Sequence, residues 1–150
     1  MRKLDQRGVA AFEFCLVFLP FLASMFVIFD FGRYAITVQS LRALANAGAR
    51  ATMVGTENNT CYTDAAINKT TPACSGDPMS DDAKKAVAPF LYNGGLSPTL
   101  NVTSGASALT VTASEPGFTM AMTLLTQPLW STSFDAPSVS TEIPFPASSP

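Results

Sequence analysis

The stretch "RGVAAFEFCLVFLPFLASMFVIFDFGR", residues 7–33, decides the fold of this chain because it is apolar over the length of a membrane span. The 21 residues from Val9 to Phe29 contain a single charged side chain, Glu13. An α-helix that rises about 1.5 Å per residue covers roughly 30 Å over this length, which is the thickness of a bilayer core. The sequence therefore predicts a transmembrane helix over residues 9–31, and it raises the question of why a carboxylate lies inside it.

The charges beside this run predict how the chain is oriented in the membrane. The short N-terminal flank is basic, with Arg2, Lys3 and Arg7 against Asp5. Positively charged flanks stay on the cytoplasmic side. We therefore expect a single-pass protein whose N-terminus is cytoplasmic and whose C-terminal 120 or so residues lie across the membrane.

The composition argues against several functional classes. The net charge is −2 and no basic cluster occurs, which argues against a nucleic-acid partner. The chain contains no histidine, so the commonest general base and the commonest metal ligand are missing. A serine nucleophile would need a lysine base, and Lys69, Lys84 and Lys85 are all interpreted as solvated surface residues. The sequence therefore predicts no enzyme, no catalytic residue, no cofactor and no metal site.

Two of the three cysteines suggest a covalent loop. Cys61 and Cys74 enclose twelve residues in the polar segment "CYTDAAINKTTPAC", whereas Cys15 lies alone in the apolar helix. A disulfide between the first two would stabilise the fold by about 3 kcal/mol and would require an oxidising compartment. The alternative is two free thiols. A metal site is less favoured because two cysteines without histidine supply too few ligands.

The chain divides into a charged leader (1–8), the apolar helix (9–31), an amphipathic helical stalk (32–55) and a small polar head (56–150). Projected at 100° per residue, the stalk has a polar arc formed by Gln39, Arg42, Asn46 and Arg50. Beside it lies a wide apolar arc that contains Ile36, Leu41, Leu44, Ala47, Gly48, Ala51 and Val54. Many residues of this segment are small, so we expect the stalk to pack closely on a sheet or on a neighbouring helix.

The head is predicted to contain a short helix and an antiparallel sheet. "SDDAKKAVAPFLYNGG", residues 80–95, reads as a helix with Ser80 as N-cap that ends at two glycines, and Pro89 either stops or kinks it. "TLNVTSGASALTVTASE" has the alternation of a hairpin, with Leu100 and Val102 on the face of Leu109, Val111 and Ala113. "FTMAMTLL" and "SVSTEI" are candidates for further strands. We therefore predict an α+β fold: a long hydrophobic helix followed by a head with three or four strands.

Glu13 lies about 6 Å inside the apolar run, where an unpaired carboxylate costs about 2.5–3.5 kcal/mol on insertion scales. The spanning run offers no cation. Cleavage after Gly8 would create one, because the α-amine of Val9 would become the new N-terminus and Glu13 the fifth residue. The alternatives are a glutamate that reaches the inner interface of an uncleaved helix, and an ordinary secretory signal. The secretory signal fits less well because its apolar core should be shorter and lack a glutamate.

These features together resemble the TadE-like family of the tight-adherence (Tad) or Flp pilus machinery, which consists of type IV prepilin-like proteins. The resemblance covers about a third of the chain. It rests on Gly8 before the cut, the pair Glu13 and Phe14, a proline midway through the span, an acidic-aromatic-Gly-Arg exit and an Asn/Ala-rich helix. The proline is Pro20, the exit is Asp30, Phe31, Gly32 and Arg33, and the helix closes on Asn46, Gly48, Ala49 and Arg50.

The resemblance implies a minor pilin or pseudopilin that a prepilin peptidase processes between Gly8 and Val9. The implied partners are that peptidase, other Tad pilins and pseudopilins, the inner-membrane assembly platform and membrane lipid. The implied location is the bacterial inner membrane, with the C-terminal domain in the periplasm or in an extracellular pilus. The competing hypothesis is an unprocessed, single-pass periplasmic binding or scaffold protein.

Overall fold

The computed structural model describes residues 6–55, 60–119 and 137–145, with side chains from Ala10 onward. Its elements are α1 (Gln6–Val54), α2 (Cys61–Asn68), α3 (Asp81–Val87), α4 (Pro89–Asn93), β1 (Thr99–Ser104), β2 (Ala108–Ser114) and β3 (Ser138–Pro144). The described residues belong to two units, residues 6–34 and residues 35–145, which we describe separately. A long N-terminal helix with short helices and a three-stranded antiparallel sheet confirms the predicted α+β class.

The first unit consists of the N-terminal part of α1. The helix runs through Pro20, whose missing N–H leaves the carbonyl of Leu16 without its usual partner in the helix. One turn later the hydroxyl of Ser24 donates a hydrogen bond of 2.7 Å to the carbonyl of Phe21. α1 also continues without interruption across residues 31 and 32, where the sequence predicts the change from the apolar helix to the stalk.

The second unit is built from the C-terminal part of α1 and the sheet, whose strand order is β1-β2-β3. The hairpin register aligns Val102 with Val111 and Leu100 with Ala113, as the alternation predicts. β3 confirms the strand expected at "SVSTEI" and pairs antiparallel with β2. The residues of "FTMAMTLL" beyond Thr119 lie outside the described part of the chain, and Phe118 and Thr119 are not in a strand.

The core of the second unit forms where α1 covers one face of the sheet. The sheet contributes Leu100, Val102, Leu109, Val111, Ala113 and Ile143, and α1 contributes Leu41, Leu44, Ala45 and Ala49. Each strand alternates between these buried residues and polar residues on the opposite face. The sheet is thus half-buried, and α1 is what buries it.

The buried face of α1 differs in part from the apolar arc that the sequence predicts. The polar arc of Gln39, Arg42, Asn46 and Arg50 is exposed, as expected. The buried side, however, is formed by Thr37, Leu41, Leu44, Ala45, Gly48, Ala49 and Thr52. Ile36 and Val54 are 48% and 79% exposed, so placing them on the packed face was wrong. Thr52 is accommodated because its hydroxyl donates to the carbonyl of Gly48 over 2.9 Å.

Gly48 is the point of closest approach between α1 and the sheet. A Cβ atom built at this position would lie 2.9 Å from one methyl of Leu100 and 3.2 Å from a methyl of Val111. Real Cβ atoms do not approach other atoms this closely in packed interiors, so the absence of a side chain sets the spacing between the layers.

The short helices differ from the prediction in number. α2 was not predicted, because "CYTDAAIN" was interpreted as a polar loop. Its N-cap residue Thr60 donates to the carboxylate of Asp64 over 2.8 Å, and Lys69 ends the helix in a left-handed conformation. The helix predicted over residues 80–95 is split at Ala88, and Pro89 occupies the first position of α4, where proline is favoured.

The N-cap of α3 agrees with the sequence, because the Ser80 hydroxyl accepts a hydrogen bond from the N–H of Ala83. The end of α4 agrees as well: Gly94 is its C-cap and Gly95 follows with φ 74°.

The sequence-based interpretation of Lys69, Lys84 and Lys85 as solvated is wrong for Lys84. Its side chain is only 8% exposed, and its ammonium lies 2.6 Å from Asp77 and 2.7 Å from Asp81. Burial alone would lower the pKa of Lys84, but the hydrogen bonds to the two carboxylates outweigh burial and raise that pKa above its ordinary value. The same contact lowers the pKa of Asp81. Lys84 is thus a structural cation rather than a candidate base.

Replacement of Gly48 by valine is expected to lower the free energy of unfolding by about 1–3 kcal/mol, because the added carbons overpack the interface with Leu100 and Val111. The matched control is Ala43→Val on the exposed side of the same helix, which costs only the difference in helix propensity, below about 1 kcal/mol. Chemical unfolding of the full chain in detergent, followed by circular dichroism, measures both. Equal losses for the two variants would contradict the close approach.

The two carboxylate partners of Lys84 are expected to contribute unequally to the free energy of unfolding. Asp77→Asn should lower the free energy of unfolding by about 1 kcal/mol, because the carboxylate of Asp77 is the less exposed partner and also accepts from the N–H of Met79. Asp81, which is 77% exposed, should contribute less in the isosteric Asp81→Asn variant. The same unfolding measurement ranks them, and a larger loss for Asp81→Asn would refute this assignment.

Candidate functional site

The apolar segment of α1 is exposed along its described length. Its large side chains are between 40% and 69% accessible and include Phe12, Phe14, Leu16, Val17, Phe18, Leu19, Phe21, Phe26, Ile28 and Phe29. The most apolar 18-residue window of the helix has a mean hydropathy of 2.3, and none of that window is buried inside the protein. Such a surface is unfavourable in water, and its length and composition are compatible with a membrane anchor.

Glu13 lies within this exposed apolar surface. Phe12 and Phe14 on either side of it are 69% and 64% exposed. Among the side chains that the structure describes, none forms an ion pair or a hydrogen bond with Glu13. The described backbone around Gly8 and Val9 is helical, and their side-chain surroundings lie outside the description. The structure thus shows a carboxylate on an apolar helix face, and the predicted partner, a new amine at Val9, stays a prediction.

Phe14, the aromatic residue that follows Glu13, stacks on Phe18 one turn later. The ring centroids are 5.1 Å apart and the planes are inclined by 17°. Residues four apart lie on the same side of a helix, so this pair forms a continuous aromatic ridge. Cys15 is exposed and unpaired between these two positions.

The exit motif predicted at Asp30, Phe31, Gly32 and Arg33 forms one turn of α1. Arg33 lies 3.8 Å from the carboxylate of Asp30, which is only 6% exposed. Phe31 is 65% exposed and its ring lies 6.4 Å from that of Tyr34. Among the described residues no close approach requires a glycine at position 32, because a Cβ built there would meet none of their atoms within 4 Å.

The predicted disulfide between Cys61 and Cys74 is present, with a Cα–Cα distance of 5.6 Å. It joins the first residue of α2 to a segment that lies against the sheet. There the carbonyl of Cys74 accepts a hydrogen bond of 2.9 Å from Ser104, and Gly76 forms a β-bridge with Val102. The covalent link and these bonds together fix the segment before α3 on the edge of β1.

One buried acidic residue was missed by the sequence reasoning. Glu115 follows β2 and is 1% exposed. One carboxylate oxygen accepts from the N–H of Gly117 over 3.0 Å, and the other has no hydrogen-bond partner among the described residues. The sequence offered only a weak signal for this, the Pro116-Gly117 turn directly after the strand. The described residues contain no group of three acidic or cysteine side chains with the geometry of a metal site.

The chain was compared with known proteins and with models of protein families. No curated protein and no solved structure matches the chain. Residues 8–50, however, match the family model described as TadE-like protein. The matched range begins at Gly8, contains Glu13 and the exit turn, and extends into the part of α1 that packs on the sheet. The match shows that residues 8–50 are similar to the TadE-like family, and this similarity is consistent with a protein associated with a Tad pilus.

Proposed function

We propose that this protein is a minor pilin or pseudopilin of a Tad (Flp) type IV pilus system, and that a prepilin peptidase cuts it between Gly8 and Val9. Its role is structural rather than catalytic and lies in pilus assembly and adhesion. The observation that carries the proposal is Glu13, a carboxylate on the exposed apolar face of α1, five residues after Gly8 and without a partner among the described side chains.

The exposed apolar part of α1 supports a membrane-inserted form of the protein. A helix whose large side chains are about half exposed over this length needs lipid or other subunits around it. The basic N-terminal flank favours a cytoplasmic N-terminus in a single-pass arrangement. The disulfide favours an oxidising compartment for the C-terminal part, which agrees with the bacterial periplasm.

The position of Glu13 favours a role in setting the register between subunits. An unpaired carboxylate in the bilayer costs about 2.5–3.5 kcal/mol on insertion scales, and pairing with an amine removes much of that cost. A buried ion pair contributes little net stability against an apolar alternative, but it penalises arrangements that leave one charge unpaired. Other Tad pilins or pseudopilins, or the inner-membrane assembly platform, would supply the surroundings in which this pair forms.

The proposed cleavage site lies in helical backbone, because the described chain is helical from Gln6. A protease needs the chain locally extended at the bond that it cuts. Glycine lowers helix stability by about 1 kcal/mol relative to alanine, so Gly8 makes local unwinding at this bond easier. A glycine thus suits this position because it eases unwinding of the helix at the bond to be cut, in addition to its proposed recognition by the prepilin peptidase.

Substitution of Gly8 by alanine is expected to block processing. Intact-mass spectrometry of the membrane-extracted protein should show a mature chain that begins at Val9 in the wild type and a chain that retains the leader in Gly8→Ala. Cells that lack the prepilin peptidase provide the second control and should also retain the leader. A wild-type protein that keeps Met1 would refute the processing step and favour the unprocessed anchor.

Substitution of Glu13 by glutamine tests the role in assembly separately. Glu13→Gln should be processed normally but should be depleted from the pilus fraction that is released by shearing, because the amine of the mature chain loses its charged partner. The matched control is Glu142→Gln, an exposed carboxylate on β3, which should leave the distribution unchanged. Equal distribution of wild type and Glu13→Gln between membrane and sheared fractions would contradict the proposal.

A further inference from the structure

The outer edge of β3 has no partner strand among the described residues. The backbone N–H of Glu115 donates to the carbonyl of Pro137, at the position that continues the β2–β3 register. Hydrogen bonds in an antiparallel ladder alternate along each strand. The odd-numbered residues of β3 therefore bond to β2, and the N–H and C=O groups of Ser138 and Ser140 point away from it. Both serines are exposed.

The two edges of the sheet differ in how they are covered. On β1 the N–H of Val102 donates to the carbonyl of Gly76 over 2.8 Å, so a neighbouring segment occupies that edge. On β3 the hydroxyl of Tyr62 donates to the carbonyl of Pro144, which occupies only the end of the strand. Residues 138–141 keep an edge without a partner in the described chain, and such an edge is a template for a further strand.

A row of polar side chains on α1 runs beside this edge. The amide oxygen of Asn46 accepts a hydrogen bond of 3.1 Å from the hydroxyl of Thr141 on β3. Arg42 and Arg50 lie one turn before and one turn after Asn46, on the same side of the helix, and both are exposed. Neither guanidinium forms an ion pair with a described residue. Two unpaired cations therefore flank the point at which α1 meets the edge strand.

The acidic side chains close to this edge in sequence do not neutralise the two arginines. Glu142 is paired with Thr110 in the register, so its side chain lies on the face of the sheet away from α1. Asp64, two residues after Tyr62 on α2, accepts a hydrogen bond from Thr60. A strand added beside β3 would place every second side chain on the face of α1, where the arginines favour carboxylates.

The distance between the arginines selects a pattern in the added strand. Arg42 and Arg50 are eight residues apart, which is about 12 Å along α1. Side chains on one face of a strand recur about every 7 Å, so residues i and i+4 are about 13–14 Å apart. On a strand that runs along the helix, two acidic residues four positions apart therefore match the two guanidinium groups.

Two other occupants fit this edge less well. Pairing of β3 with β3 of a second copy about a twofold axis would place both α1 helices on one side of the joined sheet and bring four arginines together. Residues 120–136 of this chain, which lie outside the described part, contain one acidic side chain, Asp135, and residues 146–150 contain none. Neither supplies two carboxylates at the required spacing.

We propose that the outer edge of β3, with Arg42 and Arg50 beside it, binds an extended segment of a partner protein that carries two acidic residues four positions apart. The segment adds to the sheet as a fourth strand, so that backbone hydrogen bonds supply affinity and the arginines select the acidic pattern. The inference requires neither membrane insertion nor cleavage after Gly8, and its failure would leave the proposed function unchanged.

Synthetic peptides labelled with fluorescein test this with the purified full chain in detergent micelles. The probe is an octapeptide of threonine and valine with glutamate at its second and sixth positions, which lie on one face of a strand. One control has the same composition with glutamate at the second and fifth positions, on opposite faces. The other control has lysine at the second and sixth positions. Fluorescence anisotropy at low salt measures binding.

Two pairs of variants test the two parts of the surface. Ser140→Pro removes an outward N–H, and proline is tolerated on an edge strand where that N–H faces solvent. Its matched control, Ser140→Thr, keeps the N–H. The double variant Arg42→Gln/Arg50→Gln removes the two cations, and Lys69→Gln/Lys85→Gln removes the same charge from two exposed lysines elsewhere. Circular dichroism verifies the fold of each variant.

We expect the probe to bind more tightly than either control peptide, and Ser140→Pro to abolish binding. The double arginine variant should weaken binding roughly three- to tenfold, while the double lysine variant leaves it unchanged. In nuclear magnetic resonance spectra, hydrogen exchange at the amides of Ser138 and Ser140 should slow in the complex, since these amides have no partner in the sheet. If Ser140→Pro does not fold, the arginine variant and the amide exchange decide the outcome.

Failure of the probe to bind the wild type, or equal binding of the three peptides, overturns the proposal. Unchanged binding to a folded Ser140→Pro overturns the pairing of strands, and unchanged binding to the arginine variant overturns the selection of acidic residues. A concentration-dependent dimer in which the same amides are protected without peptide also overturns the proposal, because a second copy then occupies the edge.

Discussion

The close contact between Gly48 and the side chains of Leu100 and Val111 is the constraint on which the rest of the second unit depends. A three-stranded sheet is too small to be stable by itself and must bury one face. α1 covers that face with Leu41, Leu44 and small residues, so the layers approach until the backbone at Gly48 meets the sheet. The same helix continues from the apolar run, and the family match to residues 8–50 includes both parts. The helix that suits the membrane and the helix that completes the core are therefore one element.

A thin core needs support from interactions other than apolar burial. In the second unit the disulfide fixes the start of α2 to the segment beside β1, and the ammonium of Lys84 joins Asp77 to Asp81 at the start of α3. The hydroxyl of Tyr62 adds a bond of 3.1 Å to the carbonyl of Pro144 at the end of β3. The disulfide and the Tyr62 hydrogen bond tie α2 to the segment beside β1 and to the end of β3, and the Lys84 ion pairs fix the start of α3 to Asp77. They explain how α2 is held although its sequence has no strong helix signal.

The parts of the structure that could be predicted from the sequence are those with a local physical signature. The apolar run, the alternation of β1 and β2, the N-cap at Ser80 and the proline at the start of α4 all depend on neighbouring residues. The buried face of α1 was predicted only in part, because the arc of Ile36 and Val54 is as apolar as the arc that packs, and only the position of the sheet distinguishes them. Lys84 pairs with Asp77 and Asp81, seven and three residues earlier, so the sequence held a local signal that its interpretation as a solvated lysine did not use. The burial of Glu115 had only the weak signal of the Pro116-Gly117 turn. The roles proposed for Gly8, Val9 and Glu13 could be predicted from the sequence because they depend on spacing along one helix, and they stay predictions.

The spacing between Val9 and Glu13 also explains why processing would change the chemistry of the glutamate. Residues four apart lie one turn apart on the same side of a helix, so an amine at Val9 is within about one turn of the carboxylate of Glu13. In the uncleaved chain the helix continues back to Gln6, and the amide groups around Val9 are part of its interior. After cleavage the helix would begin at Val9, where the new amine and the positive end of the helix dipole both favour a nearby carboxylate. The amine of the same chain and that of an adjacent subunit would then compete for one acceptor. In such an assembly, the stack of Phe14 on Phe18 would keep the adjoining helix surface apolar, so a charge from a neighbouring chain would find its partner at Glu13.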